Sequence, residues 1–241
     1  MRARPFTILL VCLAPMQGNA AQENRIDYDN CRKATVATDK VALCTLALQT
    51  TSDRELRQRI FLRRGNSFQE LERYHEAIRD YSELIKLDPK VAGYYDNRKT
   101  ALQSLGRYAE AMQDADMAIQ RAPKHAFVYR ARGLLEEDMQ RYEAAITDFD
   151  RAIDIEPTDQ GMIVDRARIK AKAGLSEEAI RDLSTVINGD PANMSAFRER
   201  GIVYRAVGKK TEAISDLKFF MQGAPGDEVI AKMIKDMEAG N

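Results

Sequence analysis

The sequence is short of the residues on which much enzyme chemistry depends. Its 241 residues include two histidines, three cysteines and no tryptophan. His75 and His125 have no serine or acidic partner implied by their placing, so no set of groups converges on a triad. Cys31 and Cys44 lack the further Cys or His spacing of a zinc site. No glycine-rich loop follows a strand-like segment, and "GKKT" (208–211) lacks the upstream glycine of a phosphate loop. Neither a metal nor a cofactor is expected, and no enzymatic activity. The acidic run Glu136, Glu137, Asp138 reads as solvated helix surface rather than a catalytic dyad. Charge of one sign is missing too. With 37 basic and 37 acidic side chains, nothing draws the chain electrostatically to nucleic acid or an anionic membrane.

Long hydrophobic runs are also absent. A bilayer span needs about 20 apolar residues, whereas the apolar run "FTILLVCLAPM" (6–16) has eleven. Arg2 and Arg4 precede it and "QGNA" follows, ending in small residues at Gly18 and Ala20. That order is expected of a secretory signal peptide over residues 1–20. A buried N-terminal helix is one alternative. A lipid anchor on Cys12 is another, though the preceding "LLV" lacks the small residues such processing needs. Export would leave a net charge of about −2 in the periplasm or outside the cell, with Cys31 and Cys44 as an even pair. In an oxidising compartment such a pair forms a disulfide, adding about 3 kcal/mol in the chain-entropy model. An uncleaved leader would instead favour two reduced thiols buried in a helix pair.

What the chain does have is a period. Beyond the leader its prolines are Pro89, Pro123, Pro157, Pro191 and Pro225, each 34 residues after the last. Ala77, Ala111, Ala145, Ala179 and Ala213 keep that interval, as do Asp80, Asp114, Asp148, Asp182 and Asp216. Such a period marks a solenoid. Within one period, Tyr108, Ala111, Met112, Ala115, Ala118 and Ile119 fall three and four apart, the spacing of an apolar helical face. Proline stops the second helix. The bend between helices falls at "LGRY" (105–108), "AGLS" (173–176) and "VGKK" (207–210), where glycine takes positive φ at little cost. The alanines are expected at close helix approaches, opposite Gly65, Gly133 and Gly201.

Phe61, Gly65, Phe68, Tyr74, Ala77, Tyr81 and Pro89 together resemble the consensus of the tetratricopeptide repeat (TPR) family. The departures are Lys99 in place of a glycine, and Ser176 and Lys210 in place of the turn tyrosine. The resemblance implies an all-α, right-handed superhelical solenoid of antiparallel helix pairs. Its expected units are residues 58–91, 92–125, 126–159, 160–193 and 194–227. Residues 21–57 form a degenerate first repeat, with Cys31 in its first helix and Cys44 in its second. "SDRE" (52–55) resembles a capping box opening the next helix. Residues 228–241 form a C-terminal capping helix, with Asp227 as N-cap and Val229, Ile230, Met233, Ile234 and Met237 on its apolar face.

The resemblance also locates function. TPR first helices line a concave groove for a peptide or a partner's helix. By repeat register the groove residues are Arg59, Arg63, Asn66, Asn97, Phe127, Arg130, Leu134, Arg168, Arg198 and Arg205, interleaved with Asp96, Asp165 and Glu199. The clamp that some TPR domains close on a chaperone's C-terminal carboxylate is not expected. Asn66 and Asn97 match two of its places, but Leu62, Phe127 and Ala131 stand at the others. The expected partner is a protein or peptide, with no nucleic acid and no stable membrane span. The alternative is a structural assembly factor of a cell-envelope complex, acting through its convex face or ends. One further feature repeats. Arg64, Arg98, Arg132, Arg166 and Arg200 stand where the consensus has leucine, each sixteen residues before a repeated aspartate. An unpaired buried charge is very costly, so these arginines are expected to pair with those aspartates, within a repeat or across to the next. Ligand recognition is the other use such a row would have.

Overall fold

The computed structural model describes residues 27–239, and every regular element among them is helical. The expected leader lies outside the described residues. The chain divides into two compact units, one ending at Leu87 and one starting at Asp88.

The first unit contains α1 (27–33), α2 (Ala37–Thr50), α3 (Arg54–Glu70) and α4 (Tyr74–Leu87). Cys31 of α1 and Cys44 of α2 form a disulfide, their Cα atoms 4.8 Å apart. The pair is buried in a cluster with Ala47 and Ile60. Asp53, not Ser52, caps α3: its Oδ1 accepts from the backbone N–H of Leu56 at 2.7 Å. The N-cap is therefore one residue later than expected, and Leu56 at the third helical position has no polar side chain to return the second bond of a capping box. A carboxylate satisfies the same orphan donor and also meets the positive end of the helix dipole. Glu55, the other member of the expected box, accepts from Arg59.

The second unit stacks α5 (Ala92–Ser104), α6 (Tyr108–Arg121), α7 (Ala126–Asp138), α8 (Tyr142–Ile155), α9 (Gln160–Lys172), α10 (Ser176–Gly189), α11 (Met194–Ala206), α12 (Lys210–Gly223) and α13 (Glu228–Ala239). First helices α5, α7, α9 and α11 begin 34 residues apart, and so do second helices α6, α8, α10 and α12. The repeated alanines are all 0 % exposed. The close approach has a sharper cause than the alanines alone. A Cβ on Gly133 would lie 2.8 Å from the Phe149 ring and 3.3 Å from the Ala145 carbonyl oxygen. On Gly201 it would lie 2.7 Å from Leu217 and 3.3 Å from the Ala213 carbonyl oxygen. Phe149 and Leu217, sixteen positions on, thus each press on a bare backbone, whereas Ala167 is accommodated opposite Leu183. Where Lys99 replaces the glycine, that later position is Ala115, so bulk has changed sides.

The expected glycine turns form, with φ of 70°, 82° and 78° at Gly106, Gly174 and Gly208. Glu72 and Gln140 occupy the equivalent turns with φ of 58°, a left-handed conformation that is strained for residues with a Cβ. At the end of the unit, the Asp227 carboxylate accepts from the N–H of Ile230 at 3.0 Å. Ile230, Ile234 and Met237 bury against Ala213 and Leu217, which covers the apolar surface of the last pair. Val229, expected on that face, is 69 % exposed, because it lies in the first turn of the helix at the margin of the stripe.

Candidate functional site

The repeated arginines pair with the aspartates of their own repeat. Arg132 Nε and Nη2 donate to both carboxylate oxygens of Asp148 at 2.8 and 2.7 Å. The same two-pronged contact joins Arg64 to Asp80, Arg98 to Asp114 and Arg200 to Asp216. Arg166 holds Asp182 through Nε at 2.9 Å. Forked pairing of this kind combines charge with geometry. The remaining nitrogen, Nη1, reaches back to the preceding second helix. It meets Asp116 from Arg132, Asp150 from Arg166 and Ser184 from Arg200, each sixteen residues earlier. Each of these arginines therefore links one helix pair to the one before it. Hydrogen bonding to Asp148 raises the pKa of Arg132, and hydrogen bonding to Asp216 raises that of Arg200. At Asp80 burial pushes the carboxyl up, against hydrogen bonds from Arg64. The row ties helices together through buried ion pairs.

In the first unit, Arg59, Arg63 and Asn66 of α3 line a recess of about 340 Å³ together with Tyr28, Lys40 and Glu70. Arg59 donates to Glu55 at 2.5 Å, and that hydrogen bond raises its pKa.

In the second unit, three groove arginines come together. Arg130 of α7, Arg168 of α9 and Arg198 of α11 line one recess of about 320 Å³ with Asp165, Asn193 and Glu199. Arg130 donates to Asp165 at 3.0 Å, and Arg198 donates to Glu199 at 2.6 Å. Burial opposes charge on Arg168, yet Glu137 and Asp165 together raise its pKa. Arg168, Arg198 and Glu199 also border a second recess of about 320 Å³, floored by Ala171, Ile202, Val203 and Ala206. Of the other expected groove residues, Phe127 and Arg205 are exposed, and Asn97 is half-buried. Leu134 packs against the cluster around Phe149 and Ile169. Glu136 and Glu137 are not solvated as expected. They are 9 % and 7 % exposed. Glu137 accepts from Arg168 and, at 2.8 Å, from Lys172, while Glu136 faces Arg141 at 3.5 Å. Only Asp138 of that run is exposed.

The tetratricopeptide repeat profile matches residues 62–126 and 98–160. Residues 62–160 carry tetratricopeptide repeats. Among solved structures, this chain is similar to YrrB, "a TPR protein with an unusual peptide-binding site". The TM-score is 0.59 and the identity 18%, over 80% of this chain and 97% of that one. It is similar also to pilF of Pseudomonas aeruginosa, with TM-score 0.63 and 15% identity over 78% and 89% of the two chains. A third is the thermophilic TPR protein TTC0263 of Thermus thermophilus, with TM-score 0.58 and 16% identity over 76% and 99%. At these identities the likeness concerns the fold. A comparison with curated proteins gives no match. The fold is that of protein-interaction scaffolds, and no described helix is long and apolar enough to cross a membrane.

Sequence reasoning missed the apolar floor and the buried Glu137. A signal for the latter exists in the TPR register. Neighbouring first helices meet at an offset of 35, one residue more than the repeat. Gln103 with Asp138, Arg130 with Asp165 and Lys172 with Glu137 all obey it.

Proposed function

We propose that this protein is an exported, non-enzymatic TPR scaffold whose first helices bind a protein or peptide. One observation carries the reading: arginines of three successive first helices meet at a polar recess that shares a wall with an apolar one. An apolar side chain fits the floor of Ile202 and Val203, and an acidic group beside it meets the arginines. Arg198 uses only Nη1 in hydrogen bonding among the described residues, so the rest of its fork serves a ligand carboxylate. A preassembled face loses little entropy on binding. The structural relative YrrB has a peptide-binding site of its own, in keeping with this role. Export rests on the leader-like first twenty residues together with the disulfide.

The test is affinity capture from periplasmic extract, with each captured partner then titrated against purified protein. Arg130→Glu/Arg198→Glu is the comparison, because these side chains are 46 % and 39 % exposed and Glu137 keeps both its cations. Partners should be lost while helical circular dichroism is unchanged. Equal binding by both forms refutes the site. A second reading, an assembly factor of a cell-envelope complex working through its convex face or ends, is favoured by exposed Leu46 on α2 and Val36 just before that helix. Crosslinked oligomers abolished by Leu46→Glu but not by the arginine changes would select it.

A further inference from the structure

The geometry points to a separate site in the first unit for a carboxylate-bearing ligand, walled by the disulfide-tied N-terminal helices. Its recess of about 340 Å³ is at the small end for ligand pockets. Three cations, Lys40, Arg59 and Arg63, line it against one acid, Glu70. Arg59 is committed to Glu55 at 2.5 Å. Lys40 stands 3.8 Å from Glu70, which is mostly exposed and free to turn away. The Arg63 side chain makes one hydrogen bond among the described residues, from Nη1 to the Arg32 carbonyl oxygen at 3.3 Å. Its Nε and Nη2 therefore have no protein acceptor there. Asn66 spends its carbonyl oxygen on the Tyr81 hydroxyl at 2.9 Å, which leaves its amide hydrogens as donors. The recess thus offers an arginine fork, an ammonium and an amide, and little that accepts. A carboxylate complements that set, taken by the fork of Arg63 and the charge of Lys40.

The wall is conditional on the disulfide. Tyr28, which lines the recess, and Arg32, whose carbonyl steadies Arg63, flank Cys31 on α1, within one helical turn of it. The bond to Cys44 holds that turn against α2, where Lys40 lies. The site is independent of the arginine recess in the second unit.

Calorimetric titration of the oxidised full chain with succinate and with a tetraglutamate peptide tests it, with succinamide as the uncharged control. One equivalent should bind, more weakly as salt rises. Arg63→Gln and Lys40→Gln should each weaken binding about tenfold or more, the loss of a hydrogen bond to a charged group. Arg198→Gln should leave it unchanged. Reduction with dithiothreitol should weaken it while helical circular dichroism of α3 and α4 persists. Binding of the peptide alone assigns the carboxylates to a protein segment, and binding of both admits a free dicarboxylate. Silence with both probes, or full affinity in Arg63→Gln, overturns the site. Unchanged affinity after reduction overturns the role of the wall.

Discussion

Cutting the link between Arg132 and Asp148 should do unequal damage depending on which end is removed. Asp148 has a side chain 6 % exposed and is held by two hydrogen bonds of 2.7 and 2.8 Å. Arg132→Ala strands that carboxylate in the interior and also frees Asp116. Breaking a buried pair from one side costs about 3–5 kcal/mol, and the lower end applies because the Arg132 side chain is 29 % exposed and solvent screens part of the loss. Asp148→Ala should cost less, about 1–3 kcal/mol, since Arg132 keeps Asp116 at 2.7 Å. The double alanine variant should fall short of the sum by about 1–3 kcal/mol. Replacing both with Met and Leu should cost less than Arg132→Ala alone, because no charge is then left desolvated. Stacked repeats need not unfold in one step, so the fitting measurement is amide hydrogen exchange across α7 and α8, alongside urea unfolding. Additive losses, with coupling below about 0.5 kcal/mol, would refute the claim that this pair works as a unit.

Three other outcomes follow from the same packing. Gly133→Ala should destabilise by about 1–3 kcal/mol through overpacking against Phe149, and Phe149→Leu in the same chain should recover part of the loss in thermal unfolding. Gln140→Gly should raise the melting temperature, relieving about 1 kcal/mol of left-handed strain after the entropy cost of glycine; a lower melting temperature would remove strain as the explanation. Burial pushes the Tyr81 phenol above its ordinary value of 10.0. The folded state then keeps a proton that the unfolded chain gives up, so this contribution is complete below about pH 10 and is lost as pH rises above it. Ultraviolet difference titration of wild type against Tyr81→Phe checks the sign.

Much of this was legible because a fixed period exposes what every repeat needs. The alanines, the turn glycines, the disulfide partners and the aspartate sixteen residues after each arginine are features of residue type and offset. The backward partners were not. They are Asp116, Asp150 and Ser184, different in type but alike in being short acceptors, so no constant letter marks them. The first unit adds a change of register: Arg64 reaches Thr45, nineteen residues back rather than sixteen, as α3 starts early at Arg54. Glu136 and Glu137 were misread for a different reason. A first helix is covered on both sides by its neighbours, so a polar run that would face water on a lone helix is enclosed and neutralised here.

Arg132, Arg166 and Arg200 each face acceptors sixteen residues ahead and sixteen behind, and this makes that part of the array tolerant of editing by whole modules. Excising residues 126–159 would set Arg166 sixteen places after Asp116, the same carboxylate that Arg132 now uses. A cut that is not a multiple of 34 residues would leave one prong of the guanidinium over a mismatched turn of helix. The chain can lengthen or shorten by duplication and loss of intact units without rewriting its joints, while small insertions inside a helix are heavily penalised.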